Sequence, residues 1–139
     1  MPTGSISERI RLPATSGAPG SARRKVAEVC EGLAKDDLMT AELLTSEVVT
    51  NAVIHPQVDR VAGDASIVIQ ISCTPRLLRV EVTDQDPEPP HLAGSPPGEL
   101  EHGWGLRIVS LMATSWGSYP VETGIGKTVW FEMDLASRR

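Results

Sequence analysis

Polar and apolar side chains form separate rows along the segment ELLTSEVVTNAVIH, which runs from residue 42 to residue 55. Glu47, Asn51 and His55 follow one another four residues apart, so on a helix they form one polar row. Asn51 is costly in a helix interior, because its amide competes for backbone hydrogen bonds. Magnesium prefers oxygen ligands and keeps waters and substrate phosphates, so one Asn oxygen is a sufficient protein ligand. A carboxylate one turn earlier, Glu47, would lie beside the metal-bound phosphates and could orient or deprotonate an attacking hydroxyl or water.

The polar row also has a plainer explanation, because Glu and Asn usually lie on solvated helix faces. His55 stands in the final turn, where a histidine suits the negative end of the helix dipole without binding any ligand. The sequence therefore leaves the role of His55 open.

Two other segments could contribute to a ligand site. Asp84 ends a β-rich segment, where an Asp usually forms a turn. Gly103 and Gly105 open a predicted helix whose amide groups could receive a phosphate, but they lack the third glycine and the βαβ context of a dinucleotide fingerprint. The segment 124 to 128, GIGKT, resembles the end of a P-loop, but Val121 replaces the first glycine and a strand is predicted to follow. We reject the P-loop interpretation.

Apolar periodicity and turn residues predict the elements that must position these side chains. Apolar spacing from 22 to 33 predicts a first helix, with Pro19 suited to its first turn. A second helix is predicted from the N-cap candidates Asp36, Asp37 and Thr40 to about His55, and a third from 103 to 113. Strands are predicted over 6 to 12, 67 to 73, 77 to 83, 116 to 121 and 127 to 135. The short turn 74 to 76 predicts that the second and third strands form an antiparallel hairpin. Because hairpins rather than βαβ crossovers dominate, we expect an α+β two-layer sandwich. Helices would cover one face of a mixed, largely antiparallel sheet.

The same patterns predict which side chains are buried. In the second helix Leu44, Val48 and Ala52 form an apolar row that should face the core. In the third helix the candidates for burial are Leu106, Ile108, Val109, Leu111 and Met112. Residues 85 to 102 are rich in proline and glycine, so we expect a long surface loop with a function.

Composition limits the classes of protein. The 139 residues are 40% apolar, which fits a single domain, and the net charge of −5 without a basic stripe argues against direct nucleic-acid binding. No apolar run approaches the roughly 20 residues of a membrane helix and no signal peptide is apparent, so we expect no membrane association and a cytoplasmic protein. Cys30 and Cys73 lie far apart in the sequence among apolar neighbours, and we expect two buried, reduced thiols.

Four sequence blocks follow one another in the chain: ELLTSEVVTNAVIH, VEVTDQDPEPP, HGWGLRIVSLMATSWG and GKTVWFEM. In this order they resemble the Bergerat-fold ATPases, the superfamily of gyrase, heat-shock chaperones, histidine kinases and mismatch-repair proteins. The chain is most similar to the small anti-sigma-factor serine kinases, over an ordered core of about 8 to 135. The resemblance implies a domain that binds ATP and Mg²⁺. In the first block it implies that Glu47 is the general base and that Asn51 binds magnesium and, through it, the nucleotide.

The other blocks imply further nucleotide contacts. Asp84 would bind the adenine amino group, and Thr128 would support the adenine site. Residues 85 to 102 would form a lid, at whose edge the phosphates would be contacted by Gly103, Gly105 and Leu106. The second block departs from the family's usual Asp-x-Gly-x-Gly, because the chain has Asp84-Gln85-Asp86-Pro87-Glu88. Asp86 and Glu88 would repel phosphates if they point inward, so we expect the departure to act on nucleotide affinity.

The resemblance implies an ATP-dependent serine/threonine protein kinase that acts on a regulatory protein, either an anti-sigma antagonist or a sigma factor, and that can form a homodimer. The alternative is a non-catalytic module of the same fold that regulates its partners by docking. A third interpretation is an ATP hydrolase or a detached histidine-kinase domain, which the short lid makes less favourable.

Overall fold

The computed structural model describes residues 5–54, 65–85, 107–122 and 125–135. These residues form two long helices, α1 (Ala18–Val29) and α2 (Lys35–Ile54), and a third helix, α3, described from 107 to 112. They also form five strands: β1 (Ile6–Pro13), β2 (Ser66–Cys73), β3 (Leu77–Asp84), β4 (Ser115–Pro120) and β5 (Lys127–Asp134). The order of helices and strands agrees with the prediction from sequence.

The five strands form one sheet in the order β1-β2-β3-β5-β4. Each pairing among these strands is antiparallel, so over the described residues the sheet is not mixed. β2 and β3 form the predicted hairpin, in whose turn the backbone N–H of Leu77 donates to Thr74 Oγ1 at 3.0 Å. Buried and half-buried residues alternate along both strands. The sheet therefore has a buried core face and an opposite open face.

Helices α1 and α2 pack on the core face of the sheet. The largest fully buried side chains between the two layers are Phe131, Leu44, Ile67, Ile69, Ile71, Leu78, Val26, Val48, Val49, Val80 and Val82. Full burial of one such side chain contributes roughly 1.5–3 kcal/mol. The predicted two-layer α+β architecture is confirmed.

The starts of the two long helices differ in their agreement with the prediction. Helix α1 begins at Ala18, and a proline in its first turn agrees with the place expected for Pro19. Helix α2 begins at Lys35, so Asp36 and Asp37 lie in its first turn and do not cap it. The prediction of these residues as N-caps was wrong. Their carboxylates still stabilise α2 through the positive end of the helix dipole.

Two contacts show which way α2 runs across the sheet. Cys30, which follows α1, is hydrogen-bonded to Cys73 at the end of β2, and this contact together with burial raises the pKa of the Cys30 thiol. Both thiols are free and buried, as predicted. Arg23, early in α1, donates to Ser46 Oγ in the second half of α2 at 2.6 Å. Helix α2 therefore runs back along α1, and its last turns lie toward the end of the sheet where β2 begins and β3 ends.

Helix α3 buries less of its surface than the sequence suggests. Val109 is fully buried and Ile108 packs against the core, but Leu111 is 71% exposed and Met112 is 46% exposed. The prediction that Leu111 and Met112 are available for burial was wrong. A helix that packs against the core with one face buries only the residues of that face.

Candidate nucleotide site

Two polar residues predicted to carry chemistry lie on one side of α2, next to its apolar row. Leu44, Val48 and Ala52 face the core as predicted, with at most 6% of each residue exposed. Asn51 is only 5% exposed, and Glu47 is half-buried. Glu47 and Asn51 therefore do not lie on a fully solvated helix face, since they border the core.

Glu47 has the electrostatic environment of a proton acceptor. Burial raises the pKa of its carboxyl, because partial removal of water destabilises the charged form. A carboxylate with a raised pKa accepts a proton more readily, and a general base is most effective when its pKa approaches the working pH. The position of Glu47 on α2 thus gives it a property that an exposed glutamate lacks.

Asp84 lies at the last position of β3, directly opposite Lys127 at the first position of β5. The alternation of β3 puts Asp84 on the core face together with Val80 and Val82. Lys127 Nζ donates to Asp84 Oδ1 at 3.2 Å and lies 3.1 Å from Oδ2, and each side chain is 5% exposed. A buried charge needs such a partner, because neither ion retains its hydration.

Thr128 lies on the other side of the sheet from Asp84. Its Oγ1 is 2.7 Å from Thr83 Oγ1, which places both hydroxyls on the open face. Successive residues of a strand point to opposite faces, so Lys127 and not Thr128 shares a face with Asp84. The Thr128 hydroxyl therefore contacts Thr83 and not the Asp84 carboxylate.

Sequence reasoning missed Lys127. The predicted strand 127 to 135 could have revealed it, because neighbouring strand residues point to opposite faces of the sheet. Residues 127 and 128 therefore cannot both face the same site. Gly126, the residue before, has φ of +97°, and a Cβ there would collide with the backbone oxygen of Asp84. A glycine at this position allows the ends of β3 and β5 to approach closely.

Several predicted site residues lie outside the described part of the chain. They are His55, Gly103, Gly105, Leu106 and the predicted lid from residue 86 onward. Gln85, at the start of that loop, is exposed, and so is Arg107 at its far side. Among the residues predicted to form the site, the structure describes Glu47, Asn51, Asp84 and Thr128, and it adds Lys127 as the partner of Asp84.

The chemistry of this donor set fits a magnesium nucleotide. Asn51 offers a neutral oxygen, Glu47 offers a carboxylate, and Asp84 offers a buried acceptor for an amino group. Among the residues that the structure describes, no three His, Cys, Asp or Glu side chains cluster as metal ligands. If Asn51 binds magnesium through its amide oxygen, phosphate oxygens and water would supply the other ligands.

The chain matches the family model of the histidine kinase-like ATPase domain over residues 12–133. It belongs to this family. Membership of the histidine kinase-like ATPases implies that the domain binds ATP.

A solved structure of the RsbU and RsbW domains of Rv1364c from Mycobacterium tuberculosis is similar in fold, with a TM-score of 0.62 and 20% identity. The match covers 95% of this chain and 34% of that chain, so the present chain spans about a third of its length. No match was found among curated proteins. Within the described residues, no helix of this histidine kinase-like ATPase has the length and apolar character needed to cross a membrane.

Proposed function

We propose that the chain is an ATP-dependent serine/threonine protein kinase of the anti-sigma-factor type, which phosphorylates a regulatory partner protein. One observation carries this proposal: Glu47, a half-buried carboxyl with a raised pKa, lies one turn before the buried Asn51 on α2. Phosphoryl transfer to a hydroxyl needs a proton acceptor beside a magnesium-bound phosphate. The two residues supply this pair of functions from one rigid helix.

In the proposed reaction, magnesium ATP supplies the phosphoryl group. Asn51 would hold the magnesium ion through its amide oxygen, and Asp84 would accept a hydrogen bond from the adenine amino group. The Glu47 carboxylate takes the proton of a Ser or Thr hydroxyl as its oxygen forms a bond to the γ-phosphorus, and the bond to the ADP oxygen breaks. The raised pKa of Glu47 favours this proton transfer.

The remaining predicted contacts are part of the same proposal. Gly103, Gly105 and Leu106 would contact the phosphates at the edge of the lid. Thr128 would support the site indirectly, because its hydrogen bond to Thr83 holds β5 against β3. The resemblance to anti-sigma-factor kinases favours an anti-sigma antagonist or a sigma factor as partner, with the chain acting in the cytoplasm as a monomer or homodimer.

Calorimetric titration tests the nucleotide site first. ATP with magnesium should bind more tightly than GTP, and Asp84→Asn should weaken ATP binding. Equal binding of ATP and GTP would remove the base-recognition role of Asp84. Phosphosite mapping of proteins that co-purify with the chain then tests the kinase, with Glu47→Gln as the inactive comparison.

A non-catalytic docking module is the second candidate, and the pairing of Asp84 with Lys127 favours it. A carboxylate already held by an ammonium offers less to a nucleotide than a solvated one. This candidate predicts that a captured partner carries no phosphate added by the chain, with or without ATP. Phosphate release without any partner would instead identify an ATP hydrolase.

A further inference from the structure

The Asp84–Lys127 ion pair differs in environment from the other ion pairs among the described residues. Each of its two side chains is 5% exposed, whereas every side chain in the other described ion pairs is at least 26% exposed. A buried ion pair adds little net stability, because the loss of hydration offsets the attraction between the charges. Stability therefore does not explain a lysine at this position.

The pair lies at the position where the proposed function places the adenine, because Asp84 is its proposed acceptor. Asp84 and Lys127 occupy the ends of adjacent strands on the core face, toward which the last turns of α2 run. An ionised Asp carries only hydrogen-bond acceptors, and a Lys ammonium carries only donors. Because the two side chains are adjacent, they offer a ligand one hydrogen-bond acceptor, on Asp84, next to one donor, on Lys127.

The Watson–Crick edge of adenine is the complement of this arrangement. Its 6-amino group is a donor, and the neighbouring N1 is an acceptor. We propose that Lys127 is a base-recognition residue, whose ammonium donates to adenine N1 while Asp84 accepts from the 6-amino group. This inference rests on the proposed nucleotide site and adds a second contact to it.

The same geometry accounts for discrimination against guanine. Guanine carries an acceptor, O6, at position 6 and a donor, N1–H, at position 1. In the orientation proposed for adenine, O6 would face the Asp84 carboxylate and N1–H would face the Lys127 ammonium. Both contacts would then be repulsive, so the order of the two residues selects adenine.

Two nucleotide analogues test the two contacts separately on the unaltered full chain. In 1-deaza-ATP a C–H group replaces N1, and in purine riboside triphosphate a hydrogen replaces the 6-amino group. Loss of a hydrogen bond to a charged group corresponds to about a 10- to 100-fold change in affinity. Calorimetry in magnesium should therefore show 1-deaza-ATP binding about 10-fold or more weakly than ATP.

Lys127→Met then assigns the N1 contact to its residue. The variant should bind ATP more weakly and should no longer distinguish ATP from 1-deaza-ATP. Lys25→Met is the matched control, because Lys25 pairs with Glu8 at a half-exposed site at 2.9 Å. This control should keep the full preference for ATP. If Lys127→Met does not fold, the comparison of analogues on the unaltered chain still decides whether N1 is recognised.

Three results would overturn the proposal. Equal binding of ATP and 1-deaza-ATP by the unaltered chain would show that the protein does not recognise N1, and the Lys127 contact would be refuted. If the same chain still bound ATP more tightly than purine riboside triphosphate, the proposed Asp84 contact would stand. Tighter ATP binding by Lys127→Met would make Lys127 a competitor for Asp84. Absence of binding of any nucleotide at millimolar concentration would remove the proposed function itself.

Discussion

Replacing Lys127 with Met should destabilise the fold by leaving the Asp84 carboxylate buried without its ammonium. Lys127 Nζ contacts both carboxylate oxygens, at 3.2 and 3.1 Å, and each side chain is 5% exposed. Met has a similar length, so the change removes the charge while keeping most of the apolar volume. Breaking a buried ion pair on one side typically costs about 3–5 kcal/mol. We expect a loss of this size in the free energy of unfolding.

Urea denaturation followed by circular dichroism measures this loss as a lower midpoint at an unchanged slope. For a domain of 139 residues, the same loss lowers the melting temperature by roughly 10–20 °C. Lys25→Met again serves as the control, since its ion pair with Glu8 has side chains that are 26% and 45% exposed. Such exposed pairs contribute little to stability, because water screens the two charges.

A double variant separates the charge effect from packing. Asp84→Leu combined with Lys127→Met removes both ions, and replacement of a buried pair by apolar residues is often neutral or stabilising. The double variant should therefore recover most of the stability that Lys127→Met loses. The reasoning is refuted if Lys127→Met unfolds at the wild-type midpoint, or if the double variant is no more stable than the single one.

Three further changes test the site and the strand ends. Burial raises the pKa of Glu47, so the stability that this carboxyl contributes at low pH is lost as the pH rises through its folded pKa. Above that pH, Glu47→Gln should accordingly melt at a higher temperature than wild type. Its phosphotransfer should be about 10²- to 10⁴-fold slower at unchanged ATP affinity. A wild-type rate of phosphotransfer would contradict the assignment of Glu47 as general base. Asn51→Ala should weaken ATP binding, measured by calorimetry, more in the presence of magnesium than when a chelator removes the metal. An equal loss of ATP affinity under both conditions would refute Asn51 as the metal ligand. Gly126→Ala should lower the free energy of unfolding by more than about 1 kcal/mol, measured by urea denaturation, because φ is +97° and a Cβ would meet the Asp84 backbone oxygen. Gly20→Ala, in the partly buried first turns of α1, is the control and should lose less stability.

Local pattern was sufficient for α2 and for the spacing of its polar residues. A helix repeats every 3.6 residues, so the sequence alone places Glu47 one turn before Asn51 and puts Leu44, Val48 and Ala52 on a common face. Structure confirms the apolar row and adds that Asn51 is buried. The hairpin of β2 and β3 was equally predictable, because its strands and its turn are contiguous in the chain.

Contacts between distant segments were not predictable in this way. Asp84 and Lys127 are separated by 43 positions, and their pairing depends on the register between β3 and β5. A shift of one residue would exchange Lys127 for Thr128 at the Asp84 position, because strand side chains alternate between faces. The exposure of Leu111 and Met112 likewise depends on where α3 rests on the core. Sequence by itself therefore determined the chemical groups and their helical spacing, whereas only the tertiary structure decided that a lysine shares the buried site with Asp84, since register is set by the packing of the whole sheet.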